Sequence, residues 1–156
     1  MIRGTLLLLL LTVVVAAAGC GDAAAPRTRS GTATAATSGA SFVRDVEETC
    51  ARVNRQLLRL TRHATDLTPT MRKALAIEGG ALAHLQALHP PGAMRDAYAG
   101  FTRAFAARHA ARRTQLARLK ADDFRGYRAV EERVNAQTAN VMRMAKRLEF
   151  GRCPTF

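Results

Sequence analysis

The chain has 156 residues, 24 Lys or Arg against 12 Asp or Glu, a net charge of +12, and 48% hydrophobic residues. That length holds one domain of ordinary size. The positive balance suits contact with polyanions, yet no helix-turn-helix, zinc-finger or RNP-like pattern accompanies it, which argues against nucleic acid as a partner.

Arg3 is the one charge in the first four residues, and Thr5 to Ala18 is almost wholly apolar. A charged start, a short apolar run and small residues mark a secretory signal peptide over 1–19. The run is shorter than the roughly 20 residues a spanning helix needs. Ala17-Ala18-Gly19-Cys20 resembles the lipobox of bacterial lipoproteins. That resemblance implies a diacylglyceryl thioether on Cys20, which becomes the mature N-terminus on the outer face of the cell membrane. Two acyl chains anchor stably where one holds only marginally. Ordinary cleavage beside a chance cysteine, or an uncleaved anchor, are the competing readings.

Residues 21–41 contain no Leu, Ile, Val, Phe or Met. Such a stretch cannot build a core and reads, with Cys20, as a flexible linker over 20–41. About 20 residues of this kind reach roughly 25 Å.

Residues 42–156 are the expected domain, and the helical period dominates them. Val43, Val46, Cys50, Val53, Leu57, Leu60, Ala64 and Leu67 recur at steps of three and four. Thr68-Pro69-Thr70 ends that helix and starts a second, with Pro suited to a first turn. Met71, Leu75, Leu82 and Leu85 form the second stripe, with a kink expected at Gly79-Gly80. His89-Pro90-Pro91-Gly92 breaks the chain again. Met94, Tyr98, Phe101, Phe105, Leu116 and Leu119 mark a third helix, and Asp122-Asp123 the start of a fourth. Tyr127, Val130, Val134, Val141, Ala145 and Leu148 carry the fourth apolar face. Four helices joined by short turns predict an all-α, antiparallel up-down-up-down four-helix bundle.

In that topology the start of the first helix and the end of the fourth share one end, so Cys50 and Cys153 become neighbours. An exported location permits a disulfide between them; the alternative is two free thiols, with Cys50 filling a core position. The linker leaves from the same end, so the end near Pro69 and Asp122 would face away from the membrane.

Cys20, the low-complexity tether, Cys50, Leu88-His89-Pro90-Pro91 and the run from Ala145 through Leu148 to Cys153 together resemble the uncharacterised small helical-bundle lipoproteins of actinobacteria. Where that group commonly has Leu-Gly-Leu before the last cysteine, this chain has Leu148-Glu149-Phe150-Gly151. The resemblance implies a fold and an address, and no activity.

Arg outnumbers Lys by 21 to 3, and the basic residues spread along all four helices. Anionic lipid or wall polymer is a candidate partner; a solvated polar surface explains the same pattern. Two charges fall inside apolar stripes: Glu78 between Leu75 and Leu82, and Arg112 between Phe105 and Leu116, with Arg108 close by. Buried charges are rare unless paired, so Glu78 with Arg112 or Arg108 is the expected buried ion pair. It would fix helix register, or line a small polar cavity for a ligand. A kink at Gly79-Gly80 would instead turn Glu78 outward.

Catalytic patterns are missing from the sequence. There are no Glu-x-x-His pairs for a di-iron site, no His-x-x-x-His, no Cys-x-x-Cys-His, no phosphate loop and no nucleophile elbow. His84 and His89 are spaced wrongly for zinc, and His63 and His109 are isolated in sequence. The chain therefore reads as a non-enzymatic, cofactor-free envelope module that binds an unidentified protein or polyanion. A ligand or metal binder using the bundle interior is the alternative. Protein extracted from membranes should show the intact mass of a chain beginning at diacylglyceryl Cys20; an unmodified mature terminus would remove the anchor.

Overall fold

Four helices make up the computed structural model: α1 (Ser30–Arg62), α2 (Leu67–Ala87), α3 (Arg95–Lys120) and α4 (Phe124–Arg147), with a 3-10 turn at Gly92–Met94. It describes residues 30–153, and their side chains from Gly39 onward. Among the described residues there is no strand, and the fold is all-α. No helix of these residues is long and apolar enough to cross a membrane.

α1 begins at Ser30, inside the segment expected as flexible linker up to residue 41. Ala is the strongest helix former, and Ala33, Ala35, Ala36 and Ala40 extend a helix that tertiary contacts already hold from Phe42 onward. The other end corrects the expected stripe. α1 stops at Arg62; Ala64 is exposed and Leu67, which is 54% exposed, opens α2 instead of closing α1. The reason is a cap. Asp66 accepts from the Thr68 backbone N–H (3.1 Å), satisfying an orphan donor of α2, and Pro69 sits in the first turn.

α2 runs without a break through Gly79 and Gly80, where a kink was expected. Neither glycine has a left-handed backbone; a Cβ on Gly79 would lie 3.5 Å from the His109 ring, and one on Gly80 would meet nothing within 4 Å. Gly79 thus gives His109 room, and the helix carries on through both glycines. Leu88 caps α2, and the Tyr98 hydroxyl of α3 donates to the Leu85 carbonyl in α2's last turn (2.6 Å). Burial pushes the Tyr98 phenol well above its usual pKa.

Both remaining helix ends close with paired backbone bonds around a left-handed residue. After α3, Asp122 (φ 53°) donates to the Leu119 carbonyl (3.2 Å) and Asp123 to the Arg118 carbonyl (3.0 Å). Asp123 then caps α4, its Oδ1 accepting from the Gly126 N–H (2.8 Å). A Cβ at Gly126 would come within 2.2 Å of the Asp123 carboxylate, so the cap needs glycine there. After α4, Glu149 (φ 58°) donates to Lys146 (3.2 Å) and Phe150 to Ala145 (3.0 Å).

α1 packs on α2, α2 on α3 and α3 on α4. Phe42, Val46 and Cys50 of α1 share one apolar cluster with Leu85, Tyr98, Phe101, Phe105, Val141, Ala145, Leu148 and Phe150. Phe42 meets Tyr98 edge-on (4.8 Å between centroids), and Phe150 packs on Phe101 (5.4 Å). A second, smaller cluster holds Met71, Leu75 and Leu116, with Leu119 and Tyr127 against it.

A disulfide joins Cys50 to Cys153, with Cα atoms 4.9 Å apart across a sequence separation of 103. In the chain-entropy account a loop of this size contributes up to about 4.7 kcal/mol. Two hydrogen bonds hold the same segment to α1: Gly151 N–H to Glu47 (2.7 Å) and Asn54 Nδ2 to the Arg152 carbonyl (3.1 Å).

Two exchanges test these backbone assignments by urea unfolding. Glu149→Gly removes the steric cost of a left-handed side chain and should stabilise by about 1 kcal/mol. Gly80→Ala should stabilise by about 0.5–1 kcal/mol as in a regular exposed helix. A lower midpoint for Gly80→Ala would mean that α2 bends there.

Candidate functional site

Glu78 lies midway along α2 and is 0% exposed. It faces the stripe of α3 that buries Ala104, Phe105, Arg108, Ala111, Gln115 and Leu116 at steps of three and four. Arg112 Nη1 donates to Glu78 Oε1. Arg108 Nη2 approaches the same oxygen at 3.4 Å, and its guanidinium carbon stands 4.9 Å from the Phe105 ring centroid. The other oxygen, Oε2, faces His109 Nδ1 at 3.8 Å, beyond hydrogen-bond length. α2 and α3 thus bring Glu78, Arg112 and Arg108 together.

The cluster holds two guanidinium groups against one carboxylate, so its field is net positive. Arg108 is 1% exposed, and burial lowers its pKa, with Glu78 opposing and Arg112 adding to the effect. Burial also lowers the pKa of His109; Glu78 pulls it upward, while Arg113 and Arg108 press it down. A partly buried ring beside one carboxylate and two guanidinium groups is the result.

Next to this cluster, the surface between α2 and α3 opens into a groove of about 340 Å³. Arg72 of α2 and Arg113 and Lys120 of α3 rim it, His109 reaches its inner wall, and Leu75 and Leu116 form its floor. None of its lining side chains is acidic.

His63, His84 and His89 are exposed and are not drawn to His109. Among the described residues, no group of three His, Cys, Asp or Glu side chains could hold a metal ion. Cys20 lies outside the described residues. Several buried side chains went unread in the sequence, among them Phe42, Phe150, Gln115 and Thr49. Phe42 stands one residue before the first stripe, and Phe150 follows the end of α4, where no period extends. The α3 stripe carried a signal for Gln115, which falls at the helical step before Leu119. Thr49 satisfies its hydroxyl on the Asp45 carbonyl one turn back (2.9 Å), a local bond that lets a polar side chain enter a core.

No protein-family model, curated protein or solved structure matches the chain.

Removing the Glu78 charge leaves Arg108 a buried cation with its carboxylate partner gone. Glu78→Gln should therefore cost about 3–5 kcal/mol of unfolding free energy. Arg112→Gln should cost less, because the Arg112 side chain is 22% exposed and Arg108 still faces Glu78. A Glu78→Gln change within about 0.5 kcal/mol, the range of ordinary surface substitutions, would remove the ion cluster as a source of stability.

Proposed function

We propose that this chain is an exported lipoprotein whose folded part is a non-catalytic binding module of the cell envelope. Lipidated Cys20 would anchor it to the outer face of the cell membrane, and the linker would let the domain stand off the surface. The architecture is read as an antiparallel up-down-up-down four-helix bundle. Three contacts support that reading: the disulfide between α1, past its midpoint, and the segment after α4, the Phe42–Tyr98 pair, and Tyr98 against the last turn of α2. The resemblance to the small actinobacterial lipoproteins belongs to the same reading.

One observation carries the choice of a binding module. The most chemically distinctive residues, Glu78 and Arg108, are sealed between helices and engaged with one another. A carboxylate with 0% exposure cannot receive substrate without unfolding its surroundings, so this cluster serves helix register and leaves contact to the helix surfaces. Leu58, Leu67, Phe124 and Met142 are large apolar side chains left exposed there. A second reading, electrostatic contact with anionic lipid or wall polymer, is favoured by the acid-free basic groove between α2 and α3.

Crosslinking in intact cells, followed by membrane solubilisation and affinity recovery, should give discrete adducts of the full chain. Protease added outside the cell should degrade it. Recovery of the chain solely as an unmodified, protease-protected monomer would overturn the reading.

A further inference from the structure

We propose that the groove between α2 and α3 binds a phosphate group, held by Arg72, Arg113 and Lys120; this rests on the reading of the chain as a binding module. Arg113 and Lys120 stand seven residues apart on α3, two helical turns, and so share a face. Ala117 falls between them and Ala76 stands on α2, so small side chains on both walls leave the gap open. Arg72 reaches in from α2, which places cations on both sides of the opening. At about 340 Å³ the groove is at the small end of ligand sites, with room for a phosphate and part of what carries it.

Charge decides the class of ligand. Among the described residues, no carboxylate forms an ion pair with Arg72, Arg113 or Lys120; the acidic partners are Glu78, within the buried cluster, and Asp123, which pairs with Arg118. The buried layer behind the groove adds surplus positive charge through Arg108 and Arg112. A phosphate offers this basic lining negative charge and several acceptor oxygens for the guanidinium forks. His109 faces Glu78, Arg108 and Arg113; burial is the main cause that lowers its pKa, Glu78 raises it, and the two arginines lower it further. An anion in the groove should favour the protonated ring and raise the His109 pKa.

The phosphate can come from a soluble ester or polymer, or from a lipid headgroup. Arg72 lies in the first turns of α2 and Lys120 at the end of α3, away from the disulfide end from which the tether would depart. That placement favours the soluble source.

The test follows the His109 ring proton by NMR in the full-length lipoprotein in neutral detergent. One arm adds pyrophosphate or long-chain polyphosphate, and the other uses nanodiscs containing phosphatidylglycerol. A saturable rise of the His109 pKa in the first arm supports the site with a soluble source; a rise in the second alone supports it with a lipid source. The rise should weaken with salt, and Arg72→Gln with Arg113→Gln should reduce affinity about tenfold or more. Arg133→Gln on α4 should change nothing. An unmoved His109 titration in both arms, or equal affinity in the Arg72→Gln, Arg113→Gln variant with its thermal midpoint unchanged, would overturn the proposal. Loss of phosphate binding with the envelope adducts intact would remove this site and leave the binding-module reading standing.

Discussion

A layer of buried charge divides the interior of this fold. Toward the disulfide end lies the larger apolar cluster, from Phe42 to Cys153; beyond it lie Met71, Leu75 and Leu116. Between them, Glu78 of α2 meets Arg108 and Arg112 of α3. A purely apolar seam between two helices tolerates sliding by a turn, because Leu replaces Leu at little cost. A carboxylate in that seam does not. Sliding α2 by one turn would take Glu78 from its guanidinium partners and leave its charge against hydrocarbon, a penalty of several kcal/mol. That contact opposes such sliding together with the Tyr98–Leu85 hydrogen bond and the packing of Met71 and Leu75 with Leu116 between the same two helices.

The closure of the fold depends on a different device. Helix-to-helix packing runs in series from α1 to α4, so the return of the chain end to α1 falls to the segment after α4. Glu149 adopts a left-handed backbone and reverses the chain; this lets Phe150 turn into the core and Cys153 reach Cys50. Glu47 and Asn54 hold the backbone of that segment from the α1 side. The backbone at Glu149 takes the left-handed conformation that Gly adopts at least cost. Here the disulfide and the buried Phe150 ring offset the steric cost of a side chain there.

Much of this was legible in the sequence, and the failures have specific causes. The period of three and four gave the helices, and the apolar stripes placed Glu78, Arg108 and Arg112 inward. Leu67 was assigned to α1 because it continues a stripe. Asp66 overrode that period by capping the next helix, since an orphan N–H satisfied locally outweighs one more exposed leucine. Gly79-Gly80 suggested a kink that could turn Glu78 outward, whereas the helix is unbroken there and Leu75, Glu78 and Ala81 are all buried. Phe150 lies outside any helix, so no periodicity announced it.

The sequence by itself determined the helical class and the inward direction of the buried charges, because both follow from patterns local to one helix. The pairing of Cys50 with Cys153 was an expectation of the topology, with two free thiols as its alternative, and the structure supplied the bridge. Only the tertiary structure decided that both guanidinium groups share one Glu78 oxygen, that His109 fits against Gly79, and that Arg72 and Arg113 face each other across an acid-free groove. Those relations depend on how α2 is set against α3. Sequence spacing fixes the angle of a side chain around its own helix, and packing alone fixes the height at which two helices meet.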